Sequence, residues 1–126
     1  MRNTVLIVED DDSIGALLGI MVTQLGLQGV HRCDGASCLR WFAENHGRVA
    51  LVVLDCSLPD ASGGSVAHGL RAVAPGCPLL FISGRPCPGQ VQALAAEGPA
   101  DFMPKPFRPG EVVTRIRRLI CSGVAA

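Results

Sequence analysis

Apolar residues recur along this chain with two periods. Thr4-Val5-Leu6-Ile7-Val8, Leu51-Val52-Val53-Leu54 and Leu79-Leu80-Phe81-Ile82 are almost continuously apolar, and each is bounded by turn residues. Runs of that kind fit strands buried on both faces, as in a parallel sheet. Gln28–Arg32 is a shorter, more polar strand suited to a sheet edge, and Asp101-Phe102-Met103 is a brief one that Pro104 stops. Between the strands the period lengthens. Ile14, Leu17, Leu18, Met21, Val22 and Leu25 form one helical stripe that ends at Gly26. After an Asp34-Gly35 turn, a helix from about Ala36 to Asn45 buries Leu39, Phe42 and Ala43, packs Trp41 and closes at Gly47. A third helix follows the polar loop Ser57–Gly64, faces Val66, Leu70 and Val73 inward and breaks at Pro75-Gly76. A short fourth one, about Gln90 to Ala96, comes after the irregular stretch Arg85–Gly89. The last, about Pro109 to Cys121, buries Val112, Val113, Ile116, Leu119 and Ile120 and turns Arg115, Arg117 and Arg118 outward. Five strands alternating with five helices predict an α/β fold, a parallel sheet covered on both faces.

Composition narrows the reading. The 126 residues amount to one domain with a sizeable core, 48% of them apolar. Eleven Lys and Arg balance eleven Asp and Glu, which leaves no basic footprint for nucleic acid. No apolar run approaches the roughly 20 residues that span a bilayer, and Thr4–Val8 is too short for a signal segment. The six cysteines are scattered without ligand spacing and are read as small, reduced residues of a cytoplasmic protein.

The chemistry gathers at the strand ends. Parallel strands share one carboxyl-terminal edge, where open α/β sheets bind ligands. That edge receives Glu9 and Asp10, then Asp55, then Ser83, and Lys105 just past the last strand. Three carboxylates are hard oxygen ligands suited to Mg²⁺. A lone carboxylate at the centre, Asp55, suits a nucleophile toward a phosphoryl group, with an ammonium and a hydroxyl to offset charge on the transferred oxygens.

Val5-Leu6-Ile7-Val8-Glu9-Asp10-Asp11, Leu54-Asp55 with Leu58-Pro59-Asp60 and Gly63, Phe81-Ile82-Ser83-Gly84, and Ala100-Asp101-Phe102 with Pro104-Lys105-Pro106-Phe107 stand in that order along the chain. Together they resemble the receiver domain of two-component response regulators. The resemblance covers nearly the whole chain, residues 1–126 as one receiver domain, and implies a flavodoxin-like sheet of order 2-1-3-4-5. It implies that Asp55 accepts phosphate from a sensor histidine kinase or a histidine phosphotransfer protein. Glu9, Asp10, Asp55 and the Ser57 backbone carbonyl would hold Mg²⁺, Lys105 would pair with the phosphate, and Ser83 and Phe102 would be the switch pair. The Lys105-Pro106 bond is often cis in the family. The expected output is a changed protein-binding face on the fourth helix, fifth strand and last helix, with room for a phosphorylation-dependent homodimer and no direct nucleic-acid contact. The chain is then a signalling switch rather than an enzyme. The rival readings are a pseudo-receiver that serves as a phosphorylation-independent interaction module, and an aspartyl-phosphate phosphatase. The phosphatase would need an acid two positions after the nucleophile, where this chain has Ser57. A nucleotide-binding protein is weaker, since no Gly-x-Gly-x-x-Gly follows the first strand.

Overall fold

The computed structural model describes residues 2–84, 93 and 95–125. Strands form at β1 (Thr4–Val8), β2 (Gln28–Arg32), β3 (Val49–Asp55), β4 (Leu79–Ser83) and β5 (Ala100–Pro104). They make one parallel sheet of order β2-β1-β3-β4-β5. Four α-helices stand among the described residues: α1 (Asp12–Gln24), α2 (Gly35–Asn45), α3 (Gly63–Val73) and α4 (Pro109–Ala125). Here α4 is the helix expected as the last. Of the expected fourth helix, about Gln90 to Ala96, only Ala93, Ala95 and Ala96 are among the described residues, and the Arg85–Gly89 stretch before it lies outside them.

The continuous apolar runs are explained by two cores. Leu6 and Val8 of β1, Val52 and Leu54 of β3, and Leu79 and Phe81 of β4 pack with Phe42, Val66, Ala67 and Leu70 from α2 and α3. Their neighbours in sequence, Val5, Ile7, Leu51, Val53, Leu80 and Ile82, pack on the other face with Leu18, Met21 and Val22 of α1 and Val112, Ile116 and Leu119 of α4. Successive strand residues point to opposite faces, so a strand with helices on both sides needs an apolar residue at every position. Strand β2 has only one sheet neighbour, and its residues are exposed or half-buried.

Local chemistry sets the boundaries. Asp11 caps α1 by accepting from Ser13 N and Ile14 N at 2.9 and 3.1 Å. Asp34 caps α2 by accepting from Ser37 N at 2.7 Å, so Asp34-Gly35 opens the helix rather than forming a free turn. A 3₁₀ turn, His46–Arg48, follows α2, and β3 begins at Val49, two residues earlier than its apolar run suggests. Three expected inward residues face solvent instead. Leu17 is 43% exposed because the buried face of α1 is turned toward Gly15, Leu18 and Val22. Val73 is 40% exposed at the last position of α3, and Ala43 is exposed on α2. Arg115 departs from the outward set in the other direction. Its guanidinium donates to both Asp101 carboxylate oxygens at 3.1 Å and to Phe102 O at 2.8 Å, tying α4 to β5. No helix among the described residues is long and apolar enough to cross a membrane.

Candidate functional site

Register brings the strand ends together. Val8 lies beside Leu54 and Asp55 beside Ile82, so the residues just past β1 and those at the ends of β3 and β4 share one edge. Glu9 is fully buried, Asp55 is 4% exposed and Ser83 is 3% exposed, while Asp10 is open to solvent. One carboxylate oxygen from each of Glu9, Asp10 and Asp55 lies within 4.8 Å of the others. Lys105 reaches the cluster from beyond β5, its Nζ 2.7 Å from Glu9 Oε1 and 3.4 Å from Asp55 Oδ2. Its backbone N–H donates to Ser83 O at 2.8 Å, and the Lys105-Pro106 peptide is cis.

The electrostatics follow from crowding. Burial, and then the neighbouring Asp55 and Asp10 carboxylates, push the Glu9 carboxyl up to about 7, although Lys105 pulls it down. Burial pulls Lys105 down, but the Glu9 and Asp55 carboxylates outweigh it and hold the ammonium above its ordinary value. The contact between Lys105 and Glu9 is an ion pair out of line for a hydrogen bond, so the buried Glu9 Oε1 has no donor aligned on it. One ammonium for three carboxylates leaves an excess of negative charge. A buried acid whose Oε1 is ion-paired but accepts no hydrogen bond, beside two more carboxylates, fits a small divalent cation that takes oxygen ligands and keeps several waters.

The loop after β3 is held by its own polar groups. Ser57 N donates to Asp55 Oδ1 at 3.1 Å, and an isolated bridge joins Ser57 to Ser62. Asp60 accepts from Gly35 N and Ala36 N at 2.8 and 3.0 Å, so the loop caps the N-terminus of α2 from outside that helix. A carboxylate there also meets the positive end of the helix dipole. Asp60→Ala is expected to cost about 1–2 kcal/mol in urea unfolding, the usual worth of a helix N-cap. An unchanged midpoint would show that Asp34 alone suffices.

Every residue singled out for the site except Phe102, which stands in the middle of β5, sits at or beside this edge. Glu9, Asp10, Asp55 and Lys105 converge directly. Ser83 ends β4, Ser57 is exposed two residues past Asp55, and Phe102 is half-buried on β5 beside Phe81 and packed against the core. Sequence reasoning missed two contributors. Asp60 looked like a turn residue, and His31 looked like one more polar position of an edge strand. His31 Nε2 in fact lies 2.6 Å from Glu9 O. No local signal marks it, because its partner is 22 residues away.

Comparison with known proteins points the same way. The family described as response regulator receiver domain matches residues 5–117. The probable transcriptional regulatory protein TcrX of Mycobacterium tuberculosis is 34% identical over 117 residues, which cover 93% of this chain and 49% of that protein. The transcriptional regulatory protein KdpE of the same species is 37% identical over 123 residues, covering 97% of this chain and 53% of KdpE. The chain thus spans about half the length of these curated relatives. Among solved structures, a CheY-like receiver domain from Methanospirillum hungatei superposes with a TM-score of 0.86 at 21% identity, covering 99% of this chain and 98% of that one. The receiver domain of the sensor histidine kinase PA1611 from Pseudomonas aeruginosa, which has a magnesium ion coordinated in its active site cleft, gives 0.81 at 24% identity, covering 97% and 100%.

Proposed function

This chain belongs to the response regulator receiver family of two-component systems, and on that premise we propose that Asp55 is its phosphoacceptor. The observation that carries the reading is the meeting of Glu9, Asp10, Asp55 and Lys105 at one strand edge. A carboxylate oxygen of Asp55 attacks the phosphorus of a phosphohistidine on a sensor histidine kinase or histidine phosphotransfer protein. An acyl-phosphate O–P bond forms as the N–P bond breaks, and the released imidazole nitrogen takes its proton from solvent. Lys105, already between Glu9 and Asp55, meets the negative charge that arrives with the phosphoryl group. Ser83 supplies a hydroxyl donor from the end of β4. Glu9, Asp10, Asp55 and the Ser57 backbone carbonyl would hold Mg²⁺, which when bound neutralises part of the charge on the phosphoryl oxygens. The magnesium in the PA1611 receiver supports that assignment.

Phosphorylation then shifts a two-state equilibrium. Ser83 and Phe102 are the pair that reports it, through the face that includes β5 and α4. That face changes its affinity for a protein partner, and residues 1–126 act as one cytoplasmic receiver domain. Intact-mass measurement after incubation with acetyl phosphate tests the reading. A gain of one phosphoryl group is expected with Mg²⁺ and none in excess chelator. Undiminished labelling in chelator would remove the metal from the mechanism. No labelling under any condition would favour a pseudo-receiver.

A further inference from the structure

The edge strand β2 ends against the metal-ligand candidates. Glu9 N donates to Arg32 O at 3.1 Å, and Glu9 O lies 2.6 Å from His31 Nε2. A carbonyl only accepts, so Nε2 carries the proton in this contact. The last two residues of β2 therefore hold both backbone polar groups of Glu9. The carbonyl of Glu9 belongs to the peptide plane that leads into Asp10. Fixing that plane fixes the direction from which the exposed Asp10 carboxylate leaves the chain. The third side of the arrangement is Gly15, buried in the first turns of α1. A Cβ on Gly15 would lie 2.6 and 2.8 Å from the imidazole Nε2 and Nδ1, nearer than real Cβ atoms come to anything. The ring reaches Glu9 only because residue 15 has no side chain.

We infer that His31, seated over Gly15, is a positioning residue that aims the Glu9-Asp10 turn at the divalent cation. The inference rests on the metal-dependent reading above. Groups one step behind metal ligands usually change metal affinity by about tenfold or more when removed. Calorimetric titration of the unphosphorylated chain should give a Mg²⁺ dissociation constant about tenfold higher for His31→Ala. The Mg²⁺ concentration for half-maximal labelling by acetyl phosphate should rise in step, while the rate at saturating Mg²⁺ stays within about twofold. His31→Gln keeps an N–H donor and should restore most of the affinity.

Gly15→Ala tests the same contact with the histidine intact. The methyl group must displace the imidazole whatever the role of the ring, so a purely structural role predicts a change in stability with unaltered Mg²⁺ binding. The inference predicts weakened Mg²⁺ binding that disappears as a separate effect in the His31→Ala background, as for two changes acting on one contact. Wild-type affinity in both single variants overturns the inference and leaves the phosphoacceptor reading standing. A wild-type chain that binds no Mg²⁺ overturns both.

Discussion

Asp55→Asn takes up no phosphoryl group from acetyl phosphate, while the wild-type chain gains one by intact mass. The substitution keeps the shape of the side chain and removes its nucleophilic oxygen. It also takes away one of the three carboxylates that meet within 4.8 Å, so Mg²⁺ binding should weaken in the same variant. Folding should not suffer. Asp55 sits 4% exposed beside the fully buried Glu9, and both lean on the same Lys105 ammonium. With the Asp55 charge gone, the remaining pair is better balanced, so the Asn variant should unfold no earlier than the wild type in the absence of metal. Equal labelling of the two proteins would reject Asp55 as acceptor.

Gly63→Ala is the second change expected to have a large effect, and it acts through the backbone. A Cβ at position 63 would lie 2.7 Å from Cys56 Cα and 3.1 Å from Asp55 O. Both obstacles are main chain, and Gly63 N donates to Cys56 O at 2.9 Å, so the first turn of α3 is pinned against the end of β3. The methyl group must push the helix off the strand or displace the loop that carries Ser57. Overpacking of this kind costs about 1–3 kcal/mol, which for a domain of this size lowers the melting temperature by about 5–10 °C. Because the displaced atoms adjoin Asp55, labelling should slow even in the folded fraction. A variant that melts lower yet labels at the wild-type rate would separate packing from site geometry.

Continuous apolar runs made the strands legible, since a strand buried on both faces carries its burial in every residue. The carboxylates and the lysine were legible because parallel strands return their ends to one edge. Helix faces were read less well. The stripe on α1 includes Leu17, yet the buried face takes in Gly15, which lies against a histidine from β2, a contact that no helical period contains. Arg115 looked like a solvated charge, and only the neighbouring strand shows that Asp101 and Phe102 draw it in. Asp60 and His31 share that character. Each acts on a distant backbone group, and a period or a motif records only what lies close along the chain.

At the opposite edge of the sheet, Arg71 of α3 is buried, and its guanidinium donates to Pro99 O at 2.8 Å and to Cys77 O at 3.5 Å. Pro99 immediately precedes β5, and Cys77 stands two residues before β4. The guanidinium charge stays in place at such a site, because an arginine remains protonated even where burial lowers its pKa. One buried side chain therefore ties the amino ends of the last two strands together from α3, while their carboxyl ends are joined separately, by Lys105 N donating to Ser83 O at the site itself.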